Sequence, residues 1–520
     1  MDCQTVYLNI AEMRPLPVQS TVNAWTCSAV LLERWLRERG RVDTLLEEAG
    51  HESAAALLRD AQSSAGKRFA GGLAINATSA VMNDRQERAR CQHLLFGAIR
   101  NFGRLDFLLG TLIPQAPRAR LRAVLLIAGF ELIEAGAAPA GAGQEAQIVH
   151  HAVSKAKLLL SAPEVRLVNA VLRKLSREPG LHAAPPAPGA GAMELARYFS
   201  HPEWLVWRWL AQFGAGATCQ LLRWNQMPPP VYARWRGRPA EGAPTGGPQS
   251  QAPGGARDRG GAEAAPDAGI DRPEFLQATS WPGFHVVPAG RWPAIESLLA
   301  EGALYLQDPA TAIAPQLLDP RAGETVVDLC AAPGGKSLLL ADLLEAQTRR
   351  AGPGGEPGRV VAVDLPDSRR IERLKQNLAK ARITDVVLVQ ADVLELTPRL
   401  LKEHGLPSRF PAILLDVPCS NTGVMRHRVD VKWRLRESDI AKHAGQQLAL
   451  LNAASRLLLP GGRLVYSTCS LEPEENEGVV EAFLKASRGA FALEQTRHSW
   501  PWDAGCDGAG AFLLRRTAGG

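Results

Sequence analysis

The chain contains no C-x-x-C pair. Its eight cysteines, Cys3, Cys27, Cys91, Cys219, Cys330, Cys419, Cys469 and Cys506, stand far apart, so the paired spacing of a structural zinc site is missing and no metal is expected. No apolar run is long enough to span a bilayer, and no charged, apolar and small-residue leader opens the sequence. These absences predict a cytoplasmic protein with reduced thiols and no membrane partner. The dinucleotide triplet G-x-G-x-x-G does not occur. Nor does either charge dominate: 59 Lys and Arg face 53 Asp and Glu, a formal +6, which suits a nucleic-acid partner without demanding one. At 520 residues the chain has room for two or more domains.

What is present centres on Thr325 to Ser337. The β-branched run Thr325, Val326, Val327 ends in Asp328, a small-residue turn follows from Cys330 to Gly335, and an apolar helical run extends from Ser337 to Leu344. That is the strand, loop and helix that open a doubly wound sheet. Gly335-Lys336-Ser337 fits the end of a phosphate-cradling loop, but the position of its first glycine is Cys330 and Pro333 interrupts the cradle. A nucleoside-binding loop of the S-adenosylmethionine type remains, with Gly334 and Gly335 letting backbone approach a ligand.

Upstream, Ala24 to about Glu178 is helical in pattern. Leu31, Leu32, Trp35 and Leu36 form one apolar stripe; Leu94, Leu95, Ala98, Ile99 and Phe102 form another, and Leu121, Val124, Leu125, Ala128 and Leu132 a third. Arginines are dense from Asp84 to Arg122, as a solvated face or an RNA-facing one. Residues 1–23 read as an irregular lead-in, 24–180 as a helical domain and 181–193 as a linker. Residues 194–300 form a joining segment, with a disordered insertion at 238–271. A helix opens at Pro202, and its tryptophans are read as packing residues rather than base-stacking platforms. Residues 301–520 form the α/β domain.

Within that domain the expected strands end in acids. Val360 to Val363 leads to Asp364, placed for a ribose or as a helix cap; Val386 to Gln390 leads to Asp392, which could face an adenine amino group or be structural; Ala412 to Leu415 leads to Asp416. A helix is expected to end over Leu457 to Gly462 before the strand Arg463 to Ser467. Thr348 to Arg359 reads as an inserted loop. Cys419, after Asp416-Val417-Pro418, and Cys469, after Thr468, then stand beyond two strand ends. A thiol beside a methyl donor suits methylation at a pyrimidine carbon, because a thiolate adding at C6 makes C5 nucleophilic, with a carboxylate near N3 to hold a proton. Thiolates need electropositive surroundings, and Arg426, His427, Arg428 and Lys432 follow Cys419.

Asp328 to Ser337, Asp416 to Ser420 and Ser467 to Ser470 resemble the motifs of the RNA cytosine-5 methyltransferase family. Gly97 to Arg100, Gly103 to Asp106 and Val168 to Arg173 resemble the NusB-like RNA-binding domain, and with Ser200 to Leu205 they point to the RsmB (Sun) branch. The resemblance implies a Rossmann-like α/β S-adenosylmethionine-dependent methyltransferase domain preceded by an all-α NusB-like domain. It implies 16S rRNA as partner and cytosine 967 as target. It places the donor against Cys330, Ala331, Ala332, Pro333, Gly334, Gly335, Lys336, Asp364, Asp392 and Asp416. It makes Cys469 the nucleophile, Cys419 an aid to release and Asp416 a contact to the base. The Arg426 to Lys432 segment lacks a proline common in this branch, and the two insertions are longer than usual. The same chemistry on tRNA, or a non-catalytic RNA-binding factor, are the other readings; a monomer suffices for all of them.

Overall fold

The computed structural model describes residues 23–51, 84–137, 144–187, 189–236, 272–381, 383 and 386–518. The expected lead-in, apart from Asn23, and the insertion 238–271 lie outside the described residues. The chain forms two compact units. One is Met1–Pro229, Val417–Asn452 and Tyr466–Gly520; the other is Pro230–Asp416 and Ala453–Val465. The boundary at Pro229 cuts through the expected joining segment 194–300.

Among its described residues the front of the first unit is all helix: Ala24–Glu38, Val42–His51, Arg85–Arg100, Phe102–Leu112, Ala119–Ala137, Gln144–Ala156 and Ala162–Leu175. Asn23 and Ser161 start their helices with reciprocal capping boxes, to Thr26 and Glu164. The three apolar stripes do turn inward: Leu31, Leu32, Trp35, Leu95, Ile99, Val124, Leu125 and Leu132 are all at most 2% exposed, each burial stabilising by roughly 1.5–3 kcal/mol. The NusB-like turn is pinned by the joining segment. Gly103 N–H donates to Ser200 Oγ at 2.7 Å and Arg104 Nη2 to the Gly180 and Leu181 carbonyls at 2.9 and 3.0 Å. A Cβ at Gly103 would sit 2.6 Å from the Trp433 ring. The helix expected at Pro202 is Glu203–Gln226, broken at Gly214 (φ 75). Trp209 is fully buried, as expected of a packing residue, whereas Trp207 is exposed.

The second unit opens with a small sheet of β1 (Val231–Trp235), β2 (Gln277–Ala278), β3 (Phe284–Val287) and β4 (Leu304–Leu306), ordered β2-β3-β1-β4. The larger sheet has β5 (Thr325–Leu329), β6 (Arg359–Asp364), β7 (Val386–Gln390), β8 (Phe410–Asp416), β9 (Leu458–Thr468), β10 (Phe491–Ser499) and β11 (Ala509–Arg516). Its order is β10-β11-β9-β8-β5-β6-β7. Strands β5 to β8 are parallel, with Val327 opposite Val361 and Ile413; β5, β6 and β8 are mostly buried apolar runs, whereas β7, at the edge of the sheet, is only partly covered. The chain winds outward from β5 through β6 to β7, then returns to β8 on the other side. β5 is therefore the switch point, and the loop after it opens where ligands bind in such sheets.

Two local expectations fail. The helix before β9 stops at Arg456, and Leu458 to Gly462 are already strand. Pro460 has no N–H to continue a helix and Gly461 sits at φ 73, so the chain bends as strand instead of turning. The helix after β5 runs from Gly335 to Arg350, taking in the first part of the expected loop at Thr348. Arginines at its last turn suit the helix carboxyl end, which composition alone read as loop.

Candidate active site

The loop after β5 is shaped by its backbone. Cys330 adopts φ 62 and Gly334 φ 101, with a cis Ala332–Pro333 bond between them. A Cβ on Gly334 would lie 2.5 Å from Leu374 Cδ1, so only glycine fits. Ala331 N–H donates to the Val363 carbonyl at 3.0 Å, Ala332 N–H to Asp364 Oδ2 at 2.8 Å, and Asn377 Nδ2 to the Pro333 carbonyl at 2.8 Å. The expected acids take distinct roles. Asp364 is buried at the end of β6 and is gripped by Arg370 through Nε and Nη2 at 2.7 and 2.8 Å. It is thus a preoriented acceptor, not a helix cap; that cap is Asp367. Asp392 accepts from Leu394 N–H at 2.9 Å and caps a short helical turn after β7. Asp416, ending β8, meets Lys336 Nζ at 2.6 Å. Cys330 is a thiol whose titration burial pushes up, with Asp364 adding to the effect.

Asp328 lies one residue inside β5 and is fully buried. Ser337 donates to its Oδ2, while Oδ1 has no hydrogen-bond partner. Burial raises this carboxyl to about 7. An acid with one unpartnered oxygen under a loop that has no room for a side chain at Gly334, with Asp364 and Asp416 closing β6 and β8 on either side of β5, fits a nucleoside bearing a cationic amino-acid tail. S-adenosylmethionine is such a group. These residues all belong to the second unit.

The thiols belong to the first unit. Cys419 and Cys469 lie with their sulfurs 2.9 Å apart, Cys419 buried and Cys469 partly exposed. Cys469 Sγ donates to Asn421 Oδ1 at 3.4 Å, and Asn421 Nδ2 to the Cys419 carbonyl at 2.7 Å. Asn421 holds φ 62, a conformation asparagine tolerates better than most residues. The neighbouring sulfur, followed by burial, drives the Cys419 thiol well up. The expected cationic activation is not what the following segment supplies. Arg426 donates to the Met227 and Pro228 carbonyls at 3.2 and 2.8 Å, Arg428 pairs with Asp43 at 3.3 Å, His427 with Asp507 at 3.5 Å, and buried Lys432 donates to the Arg100 carbonyl at 3.0 Å. Arg428 and Lys432 thus tie the segment after Cys419 to the helical front, and Arg426 ties it to the end of the Glu203–Gln226 helix.

Three groups at these sites escaped the sequence reading: Arg370, Gln447 and Glu475. The repeated Cys-Ser step, Cys419-Ser420 and Cys469-Ser470, was the available signal for the last, since both serines bond Glu475.

The profile of the family described as 16S rRNA methyltransferase RsmB/F matches residues 315–505, and that of the NusB family residues 51–177. Ribosomal RNA small subunit methyltransferase B of Serratia proteamaculans is 32% identical over 432 residues, covering 80% of this chain and 86% of that protein. The probable ribosomal RNA small subunit methyltransferase B of Bacillus subtilis is 29% identical over 407 residues, 77% of this chain and 80% of that one. Among solved structures, PH0851 superposes with a TM-score of 0.61 at 21% identity, covering 97% of this chain and all of that one, a likeness of fold. With a NusB-family region ahead of a seven-stranded α/β sheet, the chain belongs to the RsmB/F family of 16S rRNA cytosine-5 methyltransferases.

Proposed function

We propose that the chain methylates C5 of one cytosine in 16S rRNA, cytosine 967 by family likeness, through a covalent adduct between Cys469 and C6. The observation that carries this reading is the asymmetry of the thiol pair, one sulfur accessible and its neighbour buried and held protonated. Cys330 to Lys336, Asp364, Asp392 and Asp416 would hold S-adenosylmethionine, which when bound supplies an electrophilic methyl group on a sulfonium sulfur.

The residues of the chain then act as follows. Cys469 adds as a thiolate to C6, breaking the C5=C6 double bond and leaving C5 electron-rich. Asp416, held by Lys336, bonds the N3 edge and holds a proton there as charge builds on the ring. After C5 carries its new methyl group, its proton is lost to a base, the double bond re-forms and Cys469 leaves as thiolate. The Cys419 thiol, 2.9 Å from that sulfur, stabilises the departing thiolate by hydrogen bonding. The target cytosine must leave its stack to be reached, so a loop or locally opened helix is the substrate. The helical front, residues 24–180, supplies backbone contacts.

The test is methyl transfer from labelled S-adenosylmethionine to unmethylated 16S rRNA by the purified chain. Cys469→Ala should abolish turnover, at least a thousandfold, without forming an adduct. Cys419→Ala should accumulate a covalent protein–RNA species visible in a denaturing gel. The reverse pattern would exchange the two roles, and labelled carbon anywhere but C5 would sink the reading.

A further inference from the structure

Glu475 belongs to neither thiol loop, yet its carboxylate is bonded to both. It is fully buried. Its Oε1 accepts from Ser420 N–H at 2.9 Å and from Gln447 Nε2 at 2.9 Å; its Oε2 accepts from the hydroxyls of Ser420 and Ser470. Ser420 directly follows Cys419, and Ser470 directly follows Cys469. A second layer fixes the acid. Tyr466 OH donates to the Glu475 carbonyl at 2.6 Å, and Gln447 reaches on to the Pro418 carbonyl at 2.9 Å, just ahead of Cys419. No lysine, arginine or histidine is among these partners, so the carboxyl group is held by four neutral donors alone. Such an arrangement is worth its burial only where geometry is held closely.

We propose that Glu475 is a positioning residue that sets the spacing of the two thiols. The inference rests on the reading that Cys419 and Cys469 act as a pair. It requires no contact between Glu475 and RNA or donor. Removing the clamp leaves the two segments joined on either side of Cys419, by Val417 N–H to the Ser467 carbonyl and Gly423 N–H to the Cys469 carbonyl, both at 3.0 Å. It frees Ser420, between those ties, and Ser470, just beyond them, and the 2.9 Å sulfur separation loosens with them.

The test reads spacing apart from methyl transfer. Diamide oxidises two nearby thiols to a disulfide, taking up their two hydrogens as its N=N bond becomes a hydrazine. The rate at which Cys419 and Cys469 become linked, followed by mass spectrometry of their peptides, therefore reports sulfur proximity. Glu475→Ala should slow linkage at least tenfold and lower kcat ten- to a hundredfold, with KM for RNA within threefold. Glu475→Gln keeps one oxygen for the two N–H donors and should retain linkage and turnover within about fivefold. If Glu475→Ala does not fold, Ser420→Ala/Ser470→Ala, which removes the hydroxyl arms with little change in volume, should slow linkage in the same direction. Wild-type linkage rates in a folded Glu475→Ala protein, or in the double serine variant, overturn the proposal. Linkage that responds while no RNA is methylated by the parent chain would leave the clamp standing and remove the function proposed above.

Discussion

The loop after β5, proposed to hold the donor, depends on one residue that has no side chain. Gly334 combines φ 101 with a Cβ position 2.5 Å from Leu374 Cδ1, so alanine there must both strain the backbone and displace a fully buried leucine. Strain of this kind costs roughly 1–3 kcal/mol. Gly334→Ala should therefore raise KM for S-adenosylmethionine about tenfold or more and lower the melting temperature, while single-turnover adduct formation by Cys469 persists; unchanged donor affinity by calorimetry would show that the loop relaxes freely. Much of the site was legible residue by residue. The acids at 364 and 416 announce themselves because each directly follows an apolar strand run, and the cysteines at 419 and 469 because each stands just beyond such a strand. Arg370 and Glu475 did not, because their value comes from partners 6 and up to 55 residues away. The expected activating cations after Cys419 were misread for the same reason: a sequence shows which charges are near in the chain, and Arg426 and Lys432 spend theirs on distant carbonyls.

At the level of elements, period and capping carried the reading well. The helical stripes and the strands β5, β6 and β8 were visible because each buries most of its apolar residues; the edge strand β7 was visible from its β-branched run alone. Borders were lost where composition misled, as in the arginine-rich end of the Gly335–Arg350 helix. One pair of helices carries a prediction of its own. Gln144–Ala156 and Ala162–Leu175 border a cavity of about 260 Å³ lined by His150, Asn169, Arg173 and Arg177 among others. Asn169 Oδ1 accepts from Arg173 Nε at 3.1 Å, leaving the outer guanidinium edge for a phosphate. If this groove holds the RNA backbone, Arg173→Ala/Arg177→Ala should weaken RNA binding across sequences. It should also reduce the slope of log affinity against log salt by about 1.4, at about 0.7 per lost contact to a single strand. A filter-binding series in KCl measures it, and an unchanged slope removes the groove from the interface.

For the molecule as a whole, three acids raised by burial favour the folded state at low pH, while His151 and His201, lowered by burial, favour it at higher pH. Burial raises Glu131, Asp328 and Asp507 each to about 7. A carboxyl raised in the folded state contributes stability in its neutral form; that contribution is complete below the unfolded value near 4 and is lost as pH rises through about 7. These three groups should therefore make the protein less stable at pH 8 than at pH 5. Glu131 is the cleanest probe, since glutamine keeps an acceptor for the Trp25 indole now 2.7 Å away. Glu131→Gln should flatten the difference in unfolding free energy between the two pH values by up to about 3 kcal/mol, read by urea titration; an identical slope would place the effect elsewhere.

The contact between Gly423 and Gly508 has a consequence for the protein's own synthesis. Gly508 N–H donates to the Gly423 carbonyl at 2.8 Å, and a Cβ on either glycine would press within 3 Å of the other's backbone. The turn that follows Cys419 is thus braced by a segment translated 85 residues later, as the two positions show. A chain still being made can fold its helical front and wind its parallel strands, but its thiol pair lacks this brace until residue 508 has emerged. The thiol pair is therefore completed only among the last parts of the protein to be synthesised.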